Sequence, residues 1–304
     1  MLSYEQKTAI QNAIHDSLGY SPSLQRIEVT PDFQRFPTAK KDRLDGYFRV
    51  FQFGKFTACH YGDWRQGTSY DWRDGHQTKD VLTDREREAM RRKILEEQKK
   101  EEERRLRAIA QHKKLFDSLP SADSRVTVHP YLIKKGLLKA YVARYNSLDD
   151  TLLFPFMDSR GRFTGYEAID PTGRKKIAKD STKKGSFCVL NPKCCRFSVL
   201  YACEGYATGI SIYEATRLTV IVCIDAGNLT EGIRSASQYL EVSPASIVIA
   251  ADNDTNRKGE TEAQKACESL GCRYVLTPVE GMDSNDYANT YGLNALSEFL
   301  KGAI

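Results

Sequence analysis

"SIVIAADNDTNRKGETEAQKA" occupies Ser246 to Ala266. Its first part, Ile247 to Ala251, is an unbroken apolar run, the pattern of a strand buried on both faces. The run ends in Asp252 and Asp254, and Gly259 then leads into a helical pattern with Glu260 and Glu262 in its first turn. Two carboxylates leaving a buried strand side by side repel one another and raise each other's pKa. A cation between them removes that penalty, and hard oxygen donors suit magnesium or manganese. Alone, the stretch also reads as a solvated Asp-Asn-Asp turn, since both residue types are good turn formers.

The surrounding strands separate the two readings. Apolar runs at Val199–Cys203, Thr219–Ile224 and Arg273–Thr277 alternate with helical stretches. This alternation predicts an α/β domain over 199–304, with a central, mostly parallel sheet flanked by helices. In such sheets ligands bind at the carboxyl ends of the strands. The first strand exits into Glu204-Gly205 and the second into Asp225-Ala226-Gly227-Asn228. The third exits into Asp252-Asn253-Asp254, and the fourth leads to Asp283 and Asp286. Any one of these acids is explained by the dipole of a following helix. Four strand exits delivering carboxylates to one rim point to a metal site, and Gly205 and Gly209 leave room for a phosphate to approach the backbone.

Upstream, residues 1–80 read as an aromatic-rich α+β domain. "YEQKTAIQNAIHDSLG" is a helix ending near Gly19, and "GYFRVFQFGKFTACHYGDWRQG" reads as strands with turns at Gly54 and Gly62. Trp64 and Trp72 are read as core residues, with base stacking as the alternative. Residues 81–120 form a long charged helical connector. Thr83 and Glu86 make a capping box, and Glu88–Arg92, Glu96–Lys100, Glu101–Arg105 and Glu103–Arg107 stand at i,i+4. No apolar residue lies between Leu95 and Leu106, as in a solvent-bridging helix. Residues 121–198 form a basic subdomain that starts with Pro130 at a helix entry. Its hairpin turns are Asp158–Gly161 and Asp170–Gly173. His129 is read as a surface or capping residue rather than a phosphate ligand.

The net charge of +5 is unevenly spread. Residues 125–200 hold 15 Lys or Arg against 6 Asp or Glu, whereas 201–304 hold 7 against 14. A basic segment beside an acidic one suits a metal site that faces a polyanion. Arg174, Lys175, Lys176, Lys179, Lys183 and Lys184 are the candidate phosphate-binding cations. The eight cysteines include no C-x-x-C pair, so no structural zinc is expected, and a reducing cytoplasm fits them. No run of 18 apolar residues and no signal-peptide core is present, so no membrane partner is expected.

"CEGYATGISI" (203–212), "CIDAGNL" (223–229), "IAADNDTNRKGETEA" (249–263) and "MDSNDY" (282–287) resemble the toprim fold of DnaG-type primases, topoisomerases and related nucleases. The overall form looks most like the primases of conjugative plasmids and phages. "LLFPFMDSRGRFTGYEAID" (152–170) resembles the primase core that precedes toprim, and "FQRFPT", "GYF" and "GDWRQG" resemble the N-terminal region of plasmid-type primases. The resemblance covers about residues 1–80 and 128–290. It implies primer synthesis on single-stranded DNA from nucleoside triphosphates, in the cytoplasm of a bacterial or phage-infected cell, with a replicative helicase in trans. It implies Mg²⁺ or Mn²⁺ as cofactor. Catalytic and metal-binding roles would fall to Glu204, Asp252 and Asp254, further metal contacts to Asp286 and Asp283, and support to Asp225 and Asn228. Gly205, Arg174 and the five lysines would meet nucleic acid or triphosphate. A toprim nuclease would use the same carboxylates to activate water, and a non-catalytic single-strand-binding protein would need none of them. The family's N-terminal zinc ribbon and a helicase P-loop motif have no counterpart here.

Overall fold

The computed structural model describes residues 2–30, 32–38, 44–53, 56–74, 84–191 and 199–302. The chain divides into two compact units, Met1–Lys99 and Lys100–Ile304.

The first unit opens with α1 (Tyr4–Leu18), where Ser3 and Gln6 form a capping box and Gly19 ends the helix at φ 77°. Glycine takes that left-handed conformation without a Cβ penalty. Strands β1 (Gln34–Phe36), β2 (Gly46–Phe53), β3 (Phe56–Asp63) and β4 (Thr68–Arg73) follow as an antiparallel sheet in sequential order. Ile10 and Ile14 of α1 pack with Phe36, Phe48, Val50, Cys59 and Tyr61 on one face of this sheet. Trp72 packs against the same cluster, whereas Trp64 is exposed. Gly62 is not at a turn: it lies inside β3, where a Cβ would come within 2.0 Å of Thr68 O. The turn falls instead at residues 64–67, with Gly67 at φ 66°. Gly54 and Thr83 lie outside the described residues.

Helix α2 (Asp84–Ser118) contains the division between the units. Its ion pairs include Glu88–Arg92 at i,i+4, but Arg104 and Arg105 pair at i,i+3 with Glu101 and Glu102. From Lys100 onward the helix belongs to the second unit and is docked there. Arg104 meets Asp180 at 2.7 Å, His112 Nε2 lies 2.8 Å from Lys179 O, and the Phe116 and Phe163 rings are 5.7 Å apart.

The second unit continues with α3 (Pro130–Lys134), with Pro130 in its first turn. Strands β5 (Arg144–Asn146), β6 (Thr151–Met157), β7 (Phe163–Ile169) and β8 (Lys175–Ile177) form a second antiparallel sheet. Gly161 and Gly173 close the β6–β7 and β7–β8 hairpins, each donating to the Asp carbonyl three residues earlier. His129 stands at the N-cap of α3 without a side-chain cap bond and is buried rather than on the surface, with its Nε2 3.1 Å from Asp150 O.

The third sheet combines β9 (Cys188–Leu190), β10 (Leu200–Cys203), β11 (Val220–Val222), β12 (Ile247–Ala251) and β13 (Arg273–Leu276) in the order 13-12-10-11-9. Four strands are parallel, and β9 adds an antiparallel edge beside β11. The helices are α4 (Tyr206–Thr216), α5 (Leu229–Leu240), α6 (Lys258–Leu270), α7 (Ser284–Tyr291) and α8 (Leu293–Gly302). Successive residues on each strand enter opposite cores: Tyr201 and Cys203 join one, Leu200 and Ala202 the other. Both faces are therefore apolar, which is why the strands read as continuous hydrophobic runs. Only the strand ends are left to carry polar chemistry.

Candidate active site

The carboxyl ends of β10, β11 and β12 open into a cleft of about 330 Å³. Glu204, Asp225 and Asp252 line it from the strand exits, and Asp283 joins them from the loop after β13. The wall opposite comes from the second antiparallel sheet and α3. It contributes Tyr131, Glu167, Lys175 and Ile177, with Lys135 just beyond the helix.

Three rim oxygens, Glu204 Oε1, Asp225 Oδ1 and Asp252 Oδ1, are buried without a hydrogen-bond partner. Such acceptors are costly to leave unsatisfied. Burial, followed by the Asp254 and Asp225 charges, raises the Glu204 pKa to about 7, despite an opposing hydrogen bond from the Ala226 backbone. Burial and the Glu204, Asp283 and Asp254 charges raise Asp252 to about 8. Asp225 Oδ2 is paired with Lys183 Nζ at 2.5 Å. Ile224, which leads into Asp225, has φ 78°, a rare value for a β-branched residue, and this turns the chain into the cleft.

The remaining acids occupy different environments. Asp283 caps α7 by accepting from Asp286 N at 2.8 Å, and its other oxygen accepts from Thr208 Oγ1 at 3.2 Å. Asp286 does not line the cleft and pairs with Lys135 at 3.2 Å. Asp254 is exposed beside the rim. Among the described residues, no three acidic, histidine or cysteine side chains are drawn together closely enough to hold an ion unaided. The donor set nevertheless fits a hard cation. All its donors are carboxylate oxygens, three are orphaned, and substrate oxygens and water normally complete such shells. Asp252 and Asp225 are the residues that would hold Mg²⁺ or Mn²⁺, with Glu204 beside them as the acid–base group.

Helix α4 begins at the cleft with Gly205 as its N-cap and no side chain capping its first turn. Its free amides and dipole favour an anion there. A Cβ on Gly205 would meet only Thr208 Oγ1 at 3.6 Å and Lys175 Nζ at 3.7 Å, so the position is open. Gly209 serves packing instead, because a Cβ there would fall 2.6 Å from Val222 Cγ2. Gly259 is tighter still. A Cβ would lie 2.5 Å from Asp252 O and 2.9 Å from Glu204 Oε1.

Strand alternation sorts the lysines. Lys175 and Ile177 line the cleft and Lys176 does not, although both lysines are exposed. Arg174, Lys179 and Lys184 are also exposed, and Lys183 is committed to Asp225. Asn228 is buried and ties the basic segment to the strand exit. Its Oδ1 accepts from Gly185 N, and its Nδ2 donates to Ser186 O and Cys223 O, each at 2.8 Å.

Sequence reasoning passed over Tyr131, Lys135, Glu167 and Thr208. The Tyr131 hydroxyl is buried without a partner. Glu167 is 8% exposed, and burial raises its pKa against the opposing Lys175 charge. Its signal was available: an acid stands on the inward register of an alternating strand, in line with Ile169.

Residues 199–293 match the family model of the toprim domain. Over 264 residues the chain is 25% identical to DNA primase TraC of Escherichia coli, covering 82% of this chain and 17% of that protein. A second Escherichia coli DNA primase TraC is 28% identical over 167 residues, covering 52% of this chain and 16% of that protein. The chain thus spans about a sixth of the length of the curated relatives it matches. Among solved structures, the zinc-binding and RNA polymerase domains of Aquifex aeolicus primase superpose with a TM-score of 0.49 at 14% identity, covering 100% of this chain and 86% of that one. A DnaG primase catalytic domain bound to ssDNA gives 0.40 at 15% identity, covering 60% and 64%.

Proposed function

We propose that this chain, which carries a toprim domain and is homologous to DNA primase TraC, is a primase module that joins nucleotides into short RNA or mixed primers on single-stranded DNA. The observation that carries this reading is the set of three buried, unpartnered carboxylate oxygens facing Lys175 across one cleft. Bound Mg²⁺ or Mn²⁺ would neutralise the triphosphate and lower the pKa of the attacking hydroxyl. Asp252 and Asp225 hold their oxygens towards that position, and Asp254 and Asp283 add negative charge at its edge. Lys175 and the first turn of α4 bind phosphate oxygens. The Tyr131 hydroxyl donates a hydrogen bond to the substrate.

The reaction joins the 3′-oxygen of one nucleotide to the α-phosphorus of the next. The bond from that phosphorus to the bridging oxygen breaks, and pyrophosphate leaves with the electron pair. Glu204, with its pKa near 7, accepts the hydroxyl proton. The partners on this reading are single-stranded DNA, nucleoside triphosphates and a replicative helicase in trans, in bacterial or phage-infected cytoplasm.

The test is primer synthesis. Protein is incubated with unprimed single-stranded DNA, Mg²⁺ or Mn²⁺ and labelled nucleoside triphosphates, beside Glu204→Gln and Asp252→Asn variants. Short labelled products from wild type alone are expected. Shortening of an end-labelled strand that depends on Asp252, without synthesis, would assign the cleft to a nuclease.

A further inference from the structure

The antiparallel sheet of the first unit has two unlike faces. Residues opposite each other across its ladders share a face. Phe48, Tyr61, Val50 and Cys59 face α1, whereas Tyr47, Arg49 and His60 face the other way, with Arg35 paired to Tyr47 and Asp71 to His60. On this second face Phe33, Tyr47, His60 and Trp64 form one ring cluster. Phe33 stands edge-on to Tyr47 at 5.4 Å and to Trp64 at 6.2 Å, and Tyr47 lies 4.2 Å from Trp64. Tyr47 is buried beneath, while Phe33 is 45% and Trp64 54% exposed.

Large exposed rings seated on a rigid ring are an unusual surface for a soluble sheet, and the charges around them name an occupant. Arg35, Arg49 and Arg73 share this face with Asp71, which already faces His60 Nδ1 at 2.8 Å. The Arg49 guanidinium lies 4.7 Å above the Phe51 ring, and its Nε is buried with no partner. Flat apolar rings beside arginines that have no ion pair among the described residues suit a ligand with π-faces joined by anions. Base stacking on aromatics combined with a cationic track is how sheets hold single strands.

We infer that this face is a docking surface for single-stranded DNA, with Trp64 and Phe33 stacking bases and Arg35 and Arg49 meeting phosphates. The choice of DNA over RNA rests on the primase reading above; the surface itself does not depend on the cleft.

The chain has two tryptophans, so Trp72→Phe leaves Trp64 as the sole indole reporter. The full-length variant is titrated with oligo-dT, oligo-U and duplex DNA, without metal or nucleotide. Quenching of Trp64 by oligo-dT at lower concentration than by oligo-U or duplex is expected. Phe33→Ala with Trp64→Ala should weaken oligo-dT binding, followed by anisotropy, roughly fivefold or more. Arg35→Gln with Arg49→Gln should lower the slope of log affinity against log salt by about 1. Both double variants are checked for an unchanged melting temperature. Unchanged Trp64 emission at saturating oligo-dT, or unaltered affinity in the ring variant, overturns the inference, and preference for oligo-U or duplex overturns its choice of occupant. The titration needs no turnover, so failure of primer synthesis leaves its outcome intact.

Discussion

Asn228 Oδ1 lies 2.8 Å from the Gly185 backbone nitrogen, and this one side chain joins the basic segment after β8 to the exit of β11. Its amide nitrogen also donates to two carbonyls, so both of its N–H donors are used within a buried setting. Asn228→Ala strands the Gly185 N–H and the Ser186 carbonyl, while Cys223 O keeps its bond from Asp225 N. The variant should lose about 2–3 kcal/mol of stability, read as a lower urea midpoint with an unchanged slope.

The rim acids make a prediction of opposite sign. An ordinary Asp ionises near 4, so the unfolded chain releases the Asp252 proton well before the folded one, whose pKa is about 8. Folding is unpenalised below about pH 4, loses stability as pH rises, and carries the full cost above about pH 8. In metal-free protein, Asp252→Asn should therefore raise stability by about 1–3 kcal/mol near pH 8.5 and leave it unchanged near pH 4. Denaturant melts at the two pH values check it.

The same pKa values couple ion binding to protons. Mn²⁺ must displace protons held by Glu204 and Asp252 at about 7 and 8. Its affinity should rise between pH 6 and 8 by up to about tenfold per unit for each proton displaced. Calorimetry in buffers of different ionisation enthalpy will count those protons. Equal Mn²⁺ affinity in wild type and in the Asp252→Asn, Asp254→Asn double variant would remove these carboxylates from the site.

Gly259→Ala sets two effects against each other. Alanine gains up to about 1 kcal/mol over glycine in a helix, but its Cβ would press on Asp252 O and Glu204 Oε1. Overpacking against backbone costs about 1–3 kcal/mol, so net destabilisation is expected, together with weaker Mn²⁺ binding as the Glu204 carboxylate is displaced.

Lys175 and Lys176 are adjacent but face opposite ways on β8, and only Lys175 lines the cleft. Lys175→Met should reduce primer synthesis about 10- to 100-fold, and Lys176→Met should change it less than about threefold. Equal losses would mean that the basic segment acts as a diffuse patch.

Much of this architecture was legible residue by residue. The capped first helix, the four parallel strands and the acids at their exits all follow from local pattern and from the rule for open parallel sheets. The antiparallel edge strand β9 was not legible. Three apolar residues before the first parallel strand carry no mark of which neighbour they will join. Glu167 and Tyr131 were missed because their importance comes from the wall they form, about 40 to 70 positions earlier in the chain than Glu204.

The sequence by itself determined that Glu204, Asp225 and Asp252 stand at strand exits, since a strand buried on both faces can place polar groups only at its ends. Only the tertiary structure decided what each acid became. Asp286 is neutralised by Lys135, Asp225 shares its charge with Lys183, and Asp283 caps a helix. Glu204 and Asp252 are left half-buried, each with one buried carboxylate oxygen unpartnered, and hard to ionise. Water access and neighbouring charge set that difference, and both are properties of surroundings assembled from distant parts of the chain.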